Sequence, residues 1–461
     1  MPDAGKEISP KPAGSASLRS VAAFVLGVRP EDIPAATRRR VSLLLLDTLA
    51  ICAASAPIEA GRIGRETTAR LFGAGGPGDA ARMLFDGRTV SMAGSVYAAA
   101  TQTDNLDGHD GFNPAKGHVG VAVVPALAAL AEGLPRLSGP DALAALVVGY
   151  EIASRAGVAL HGTVADYHTS GAWNALGVAA MAVRLRGGDD ECLRQALGIA
   201  EYHGPRSQMM REIATPTMLH DGSGWGGLAG MTAAILAEAG FTGAPAVTVE
   251  ADEVAGYWAD LGRVWLTDQQ YIKPYPTCRW GHGAVDAARL LRERYGVDPA
   301  EIAEVRINTF AAGAALFAGM PGTTSEAQYS LPFAVAAMLA NGRLGLHEIT
   351  GAGLTDARVA ALVAKTVVRV EPRHEARFPA GRWSDVELVL ADGRVLASGD
   401  VDARGGPDTQ FSDDEIIAKY RAFAVPALGE ARAESLLAAG LGLTEPGSRF
   451  TDLARHLYAS V

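Results

Sequence analysis

The chain has 461 residues, 48% apolar and 20% charged, enough for two or three domains with a sizeable buried core and too apolar for disorder. Aromatic residues make up only 6% while Ala and Gly abound, which favours closely packed helices over a large β-sandwich. A net charge of −10 at pH 7 argues against general nucleic-acid binding, although a basic pocket for an anion can sit inside an acidic protein.

Residues 1–15, rich in Gly, Pro, Ser and Lys, read as a flexible tail without the apolar core of a signal peptide. From Leu18 to about Trp265 the pattern is almost entirely helical, with helices expected over 38–53, 91–101, 121–132, 140–156, 172–185, 190–202 and 224–239. They are apolar on most faces and so belong in a buried bundle. The stretch 43–54 is interrupted by Asp47 and is too short to span a membrane, and no clean run of about 20 apolar residues occurs elsewhere. After Pro274 the texture changes. Short alternating strands are expected at 304–308, 366–370 and 385–390, and Asp392-Gly393 lies between apolar runs as a hairpin turn. Helices at 283–295 and 331–341 lie among them, giving a smaller α+β domain. Helices return at 413–423 and 430–438, where they can pack back on the first domain.

Cys52, Cys192 and Cys278 are too few and too scattered for a disulfide framework or a zinc ribbon, and read as reduced thiols in a cytoplasmic protein. No Walker A loop, G-x-S-x-G elbow or H-E-x-x-H pattern is present. The segment 222–227 (GSGWGG) fits G-x-G-x-x-G but follows no apolar strand, so it reads better as a Gly-rich helix start than as a dinucleotide site.

Three stretches carry candidate chemistry. At 104–110 (DNLDGHD), Asp107, His109 and Asp110 follow an apolar helix, and His118 precedes the next. They can form a polar loop capping that helix, a metal site, or a metal-free acid/base pair in which a carboxylate orients a histidine. His168 opens the helix 172–185, either as a cap or beside an anion held by that helix terminus. The segment 271–282 (YIKPYPTCRWGH) is the densest. The chain has six lysines against thirty-five arginines, and Lys273 lies here with Cys278, Arg279 and His282 on a strap stiffened by two prolines. A domain linker with incidental polar residues is the alternative.

In this order and spacing, these stretches resemble the MmgE/PrpD family, which includes 2-methylcitrate dehydratase, cis-aconitate decarboxylase and iminodisuccinate epimerase. Further matching pieces are 149–157 (GYEIASRAG), 167–177 (YHTSGAWNALG), 219–227 (LHDGSGWGG) and 325–342 (SEAQYSLPFAVAAMLANG). The resemblance implies a mainly α fold. Residues 16–272 with 410–461 would form a large all-helical domain, and 273–409 a smaller α+β lid. It also implies a homodimer acting on a small carboxylate without a metal or other cofactor. Asp107 and Asp110 fall at the first and last acids of the family's D-x-D-D block, and His109 stands where its middle acid is usual. His118, His168, Lys273, Cys278 and His282 fall at recurrent family positions, and Tyr329 lies in a lid block facing the cleft. His220 matches the histidine of a K-x-x-H-x-G motif whose lysine is replaced by Thr217. Arg206, Arg211 and Arg279 are the candidates to replace that cation.

On this resemblance the expected function is a cofactor-independent lyase, a dehydratase first, with an epimerase, a decarboxylase or a non-catalytic metabolite-binding member as alternatives. Asp107 with His118 would form one acid/base unit and His168 the second, with Lys273 holding a carboxylate or enolate. Cys278 would join them if Lys273 or Arg279 depresses its pKa. Asp110, His109, Thr217, His220, Arg279, His282 and Tyr329 would line the substrate.

Overall fold

The computed structural model describes residues 14–461. Most of the tail expected over residues 1–15 therefore lies outside the described residues. Its last residue, Ser15, caps the first helix by accepting from the Leu18 N–H at 3.1 Å.

The chain is mainly α. The helical part contains α1 (Ala16–Gly27), α2 (Ala35–Ser55), α3 (Glu59–Leu71), α4 (Met92–Asp104), α5 (Gly120–Ala131) and α6 (Gly139–Thr163). It continues with α7 (Gly171–Arg186), α8 (Asp190–His203), α9 (Met209–Ala214) and α10 (Ser223–Glu238). A two-stranded antiparallel hairpin, β1 (Ala80–Arg82) with β2 (Thr89–Ser91), interrupts the expected run of helices. Three residues per strand are too few for an alternating pattern to register in the sequence.

Small residues set the helix spacing. Gly230 of α10 lies so close to α7 that a Cβ there would strike the Ala175 carbonyl, and a Cβ on Gly177 of α7 would strike the Gly149 carbonyl of α6. The high Ala and Gly content is thus used for close backbone approach, at the cost of weaker intrinsic helix propensity at each glycine. α6 is long and apolar enough to cross a membrane, but 94% of its most apolar window is buried inside the fold, where it serves as a core helix.

The α+β part holds a four-stranded sheet of β3 (Ile302–Thr309), β4 (Thr366–Val370), β5 (Asp385–Leu390) and β6 (Val395–Ala397), in the order β4-β3-β5-β6. β3 pairs parallel with β4 and antiparallel with β5, and β5 and β6 form the hairpin around Asp392-Gly393. Gly393 has φ +87°, as a tight turn requires. Helices α11 (His282–Tyr295), α12 (Leu331–Asn341) and α13 (Ala357–Val363) cover the sheet. The final helices α14 (Asp413–Leu428) and α15 (Glu430–Gly442) pack against α2. There the Ser42 hydroxyl donates to the Gly440 carbonyl at 2.9 Å.

Candidate active site

A narrow cleft lies where the α4–α5 loop, the α9–α10 loop, the 271–280 strap and the α+β part converge. Four cationic side chains line it (Lys116, Lys273, Arg279 and Arg382) against two carboxylates, Asp107 and Asp221. The acidic chain therefore builds a locally basic cavity. Four non-glycine residues have positive φ among the described residues, and three of them, Asp107 (+52°), Lys116 (+56°) and Asp221 (+45°), line this cavity. Such conformations cost free energy and persist where the surrounding structure imposes them, which singles out the cavity as functional.

Two pairs face each other there. Lys273 forms an ion pair with the Asp107 carboxylate and also donates to the Asp107 carbonyl at 3.1 Å. His118 donates from Nδ1 to the Asp110 carbonyl at 2.6 Å, which turns its Nε2 toward Asp221 Oδ2 at 3.4 Å. Ser170 links the partners of this second pair. Its hydroxyl donates to Asp221 Oδ1 at 2.5 Å and accepts the His118 N–H at 2.9 Å. Asp110 lies beneath, accepting from the Tyr150 hydroxyl and from the Gly120 N–H at 3.1 Å. A Cβ at 120 would strike both the Asp110 carboxylate and the Tyr150 hydroxyl, so this contact needs glycine.

Burial separates the proton affinities. It lowers His118 to about 4, helped by the Lys273 ammonium, and does the same to His109. Burial would raise Asp221, but His118, the Ser170 donors and Lys273 outweigh it and hold the carboxyl below its usual range. Burial would also lower Lys273, yet Asp107 and Tyr271 keep it above the ordinary lysine value. Glu212 goes the other way. Burial and the neighbouring Asp221 push it well above the carboxylate range, which favours its protonated form. Its Oε1 accepts from the Tyr329 hydroxyl and its Oε2 from the Asp221 N–H at 2.6 Å. Asp104 is likewise pushed well up by burial and Asp221. The cavity thus contains a neutral imidazole facing an ionised carboxylate and a buried ammonium, with a carboxyl biased toward its protonated form behind a tyrosine. That set can accept a proton, stabilise an anion and return a proton.

Of the residues singled out in the sequence, Asp107, His118, Lys273, Cys278, Arg279 and Tyr329 line this one cavity. The pairing differs from the expected one, since Asp107 joins Lys273 and His118 joins Asp221. His109 is fully buried between Asp104, 3.3 Å from its Nε2, and the His118 ring, 4.5 Å away between centroids. Cys278 is corrected as an activated thiol. Burial and Asp107 push it up to about 12 despite Lys273. His168 does not line the cavity; its ring lies 6.4 Å from that of His161. His282 is buried beneath the strap against Thr277 and Tyr275, and burial pushes it well below the histidine range.

Thr217 is exposed in a separate outer groove, which Arg211 and His220 also line, and Arg206 is exposed as well. Of the proposed replacement cations, the structure brings only Arg279 into the cavity. Asp221, Ser170, Glu212 and Arg382 were missed by sequence reasoning. Asp221 and Ser170 each adjoin a motif that was read for its histidine, and that adjacency was the available signal. One further group, His374, Asp385 and Asp400 in the α+β part, has metal-ligand spacing. Arg373 pairs with both carboxylates and Arg377 with Asp400, so their charge is already balanced.

Comparison with known proteins adds an independent line. Residues 19–260 match the model of the MmgE/PrpD N-terminal domain, and residues 275–443 match that of the MmgE/PrpD C-terminal domain. The chain is 28% identical over 371 residues to human cis-aconitate decarboxylase, covering 74% of this chain and 75% of that protein. It is 25% identical over 460 residues to a cis-aconitate decarboxylase-like protein of Aspergillus oryzae, covering 90% and 91%. A cis-aconitate decarboxylase of Aspergillus terreus is 26% identical over 321 residues, with 63% of each chain covered.

Proposed function

The chain belongs to the MmgE/PrpD family, and on that premise we propose that it is a lyase that breaks a bond at the carbon next to a carboxylate of a small organic acid by proton transfer. One observation carries this reading. The Nδ1–H of His118 is committed to the Asp110 carbonyl at 2.6 Å, so the Nε2 lone pair faces the ionised Asp221 at 3.4 Å on the wall of a cationic cavity. A proton arriving at Nε2 is stabilised at once by that carboxylate, which makes His118 the base.

His118 takes the proton from the carbon next to the carboxylate, and the electron pair moves into that carboxylate as an enolate. Lys273 neutralises the developing charge. Decarboxylation stands first among the outcomes because the relatives above are named as cis-aconitate decarboxylases or decarboxylase-like. A carboxylate leaves as carbon dioxide, its bonding pair stays on the carbon skeleton, and two protons go back to carbon, the one that His118 took and a second from the opposite side of the cavity. Tyr329, whose hydroxyl lines the cavity against Glu212, supplies that second proton and takes one in turn from Glu212, whose carboxyl burial and Asp221 bias toward the protonated form. Dehydration, expected first from the sequence, and epimerisation begin with the same abstraction. We also propose that the chain works as a homodimer, which light scattering of the purified protein tests.

Proton NMR in D₂O with cis-aconitate, citrate, 2-methylcitrate and iminodisuccinate tests the reaction. The expected result is loss of cis-aconitate with deuterium appearing at carbon, abolished by His118→Asn. No product and no exchange with any of these acids would overturn the reading.

A further inference from the structure

Arg279 and Arg382 are only 6% and 4% exposed, and both line the active-site cavity. Neither forms an ion pair with a carboxylate among the described residues. Arg279 donates to the Arg404 carbonyl at 3.0 Å and the Ala403 carbonyl at 3.2 Å, and stacks over the Tyr271 ring at 4.1 Å. Arg382 donates from its guanidinium to the Pro379 carbonyl. The nearby Asp402 carboxylate is felt by both guanidiniums but forms no ion pair with either. Its Oδ1 accepts the backbone N–H groups of Arg382 at 2.7 Å and of Ala403 at 2.8 Å. The Nε–H of each arginine is buried without a hydrogen-bond partner.

Burial draws Arg279 down to about 10, and Arg279 also feels Arg382 as a like charge. Buried cations are ordinarily paired, because desolvation costs several kcal/mol per ion. Two adjacent unpaired guanidiniums with free N–H groups, both beside a cavity, are a site built for an anion from outside the chain. Carbonyl contacts orient them without neutralising them.

Resting on the reading of this cavity as a carboxylic-acid site, we infer that Arg279 and Arg382 together clamp a second carboxylate of the substrate, distinct from the one at the reacting carbon beside Lys273. Arg382 belongs to the α+β part and Arg279 to the strap that leads into it, while His118, Asp107 and Asp221 belong to the helical part. A substrate with two or more carboxylates therefore bridges the two parts, and a monocarboxylate does not.

Calorimetric titration of the full chain with tricarballylate (propane-1,2,3-tricarboxylate) and with butyrate tests this. Wild type is expected to bind tricarballylate at least about 10-fold more tightly than butyrate, and Arg279→Gln or Arg382→Gln to weaken tricarballylate by about 10- to 100-fold while leaving butyrate unchanged. His118→Asn should abolish turnover but retain tricarballylate binding. If it keeps its turnover, the proposed base fails while the clamp stands. A purely structural arginine would lower the thermal midpoint of the ligand-free protein. An uncompensated one leaves it unchanged or raises it, as expected for Arg382→Gln. Should Arg382→Gln not fold, Arg382→Lys decides, since it keeps the charge without the fork and should still bind tricarballylate more weakly than wild type. Wild-type affinity in the arginine variants, or equal loss of tricarballylate and butyrate, would overturn the clamp.

Discussion

Two of the chain's lysines are buried in pairs with aspartate, and they hold opposite sides of the same loop. Lys273 pairs with Asp107 on the cavity side. Lys419, from α14, pairs with Asp47 of α2 at 2.7 Å and donates to the Gly108 carbonyl at 2.6 Å from beneath. The residue types match, but the surrounding fields do not. Asp107 and Tyr271 overcome burial and hold Lys273 above the usual lysine value, whereas burial prevails at Lys419 and lowers it. Asp47 is raised by burial despite its partner. A buried pair facing a cavity can exchange a partner with an incoming anion. A buried pair facing only protein holds a backbone carbonyl in place, here beside Asp107 at φ +52°.

The largest expected effect separates the two pairs by stability. Lys419→Met leaves Asp47 uncompensated and removes the tether on Gly108, so denaturant unfolding should show a loss of about 3–5 kcal/mol. Asp47→Asn combined with Lys419→Met should recover part of it. No loss would break the distinction.

Lys273→Met should instead act on turnover, lowering kcat by roughly 10²–10³-fold, as expected for removal of a preorganised charge stabiliser. Steady-state kinetics with whichever acid NMR identifies checks this, and a fall no larger than that of Lys419→Met would contradict the roles.

A smaller effect sharpens the comparison through pH. The base must be unprotonated, so kcat/KM should fall as pH drops through about 4, the value to which burial and Lys273 lower His118. NMR titration of the imidazole should show His118 shifted upward in Lys273→Met and unmoved in Lys419→Met. The same shift has a stability sign. His118 is protonated in the unfolded chain near its ordinary 6.5 but only near 4 when folded, so its contribution is present above the first value and lost as pH falls toward the second. The smallest effect is at Thr217. It is exposed in the outer groove, so Thr217→Lys should change kcat/KM by no more than about twofold.

Much of the fold was legible because it rests on local periodicity. The strands 366–370 and 385–390 and the helix 331–341 occur with the bounds expected from sequence. The β1–β2 hairpin was not legible, because three residues carry no period. Within the site, Asp107, His118 and Lys273 were legible as unusual residues in dense polar motifs, and the cavity collects all three. Their partners were not. Asp221 is 103 residues from His118 in the chain and Lys273 is 166 from Asp107, and nothing in either local pattern encodes the meeting.

The sequence by itself determined the helical bundle, the change to α+β texture near residue 274 and the motifs that supply the chemistry, since apolar periodicity and motif spacing are properties of neighbouring residues. Only the tertiary structure decided which acid faces which base, that Cys278 keeps its proton, that Thr217 lies outside the cavity and that Arg382 lies within it. Those outcomes depend on burial and on distances between remote segments, and the fields that shift a pKa exist only once the segments have packed together.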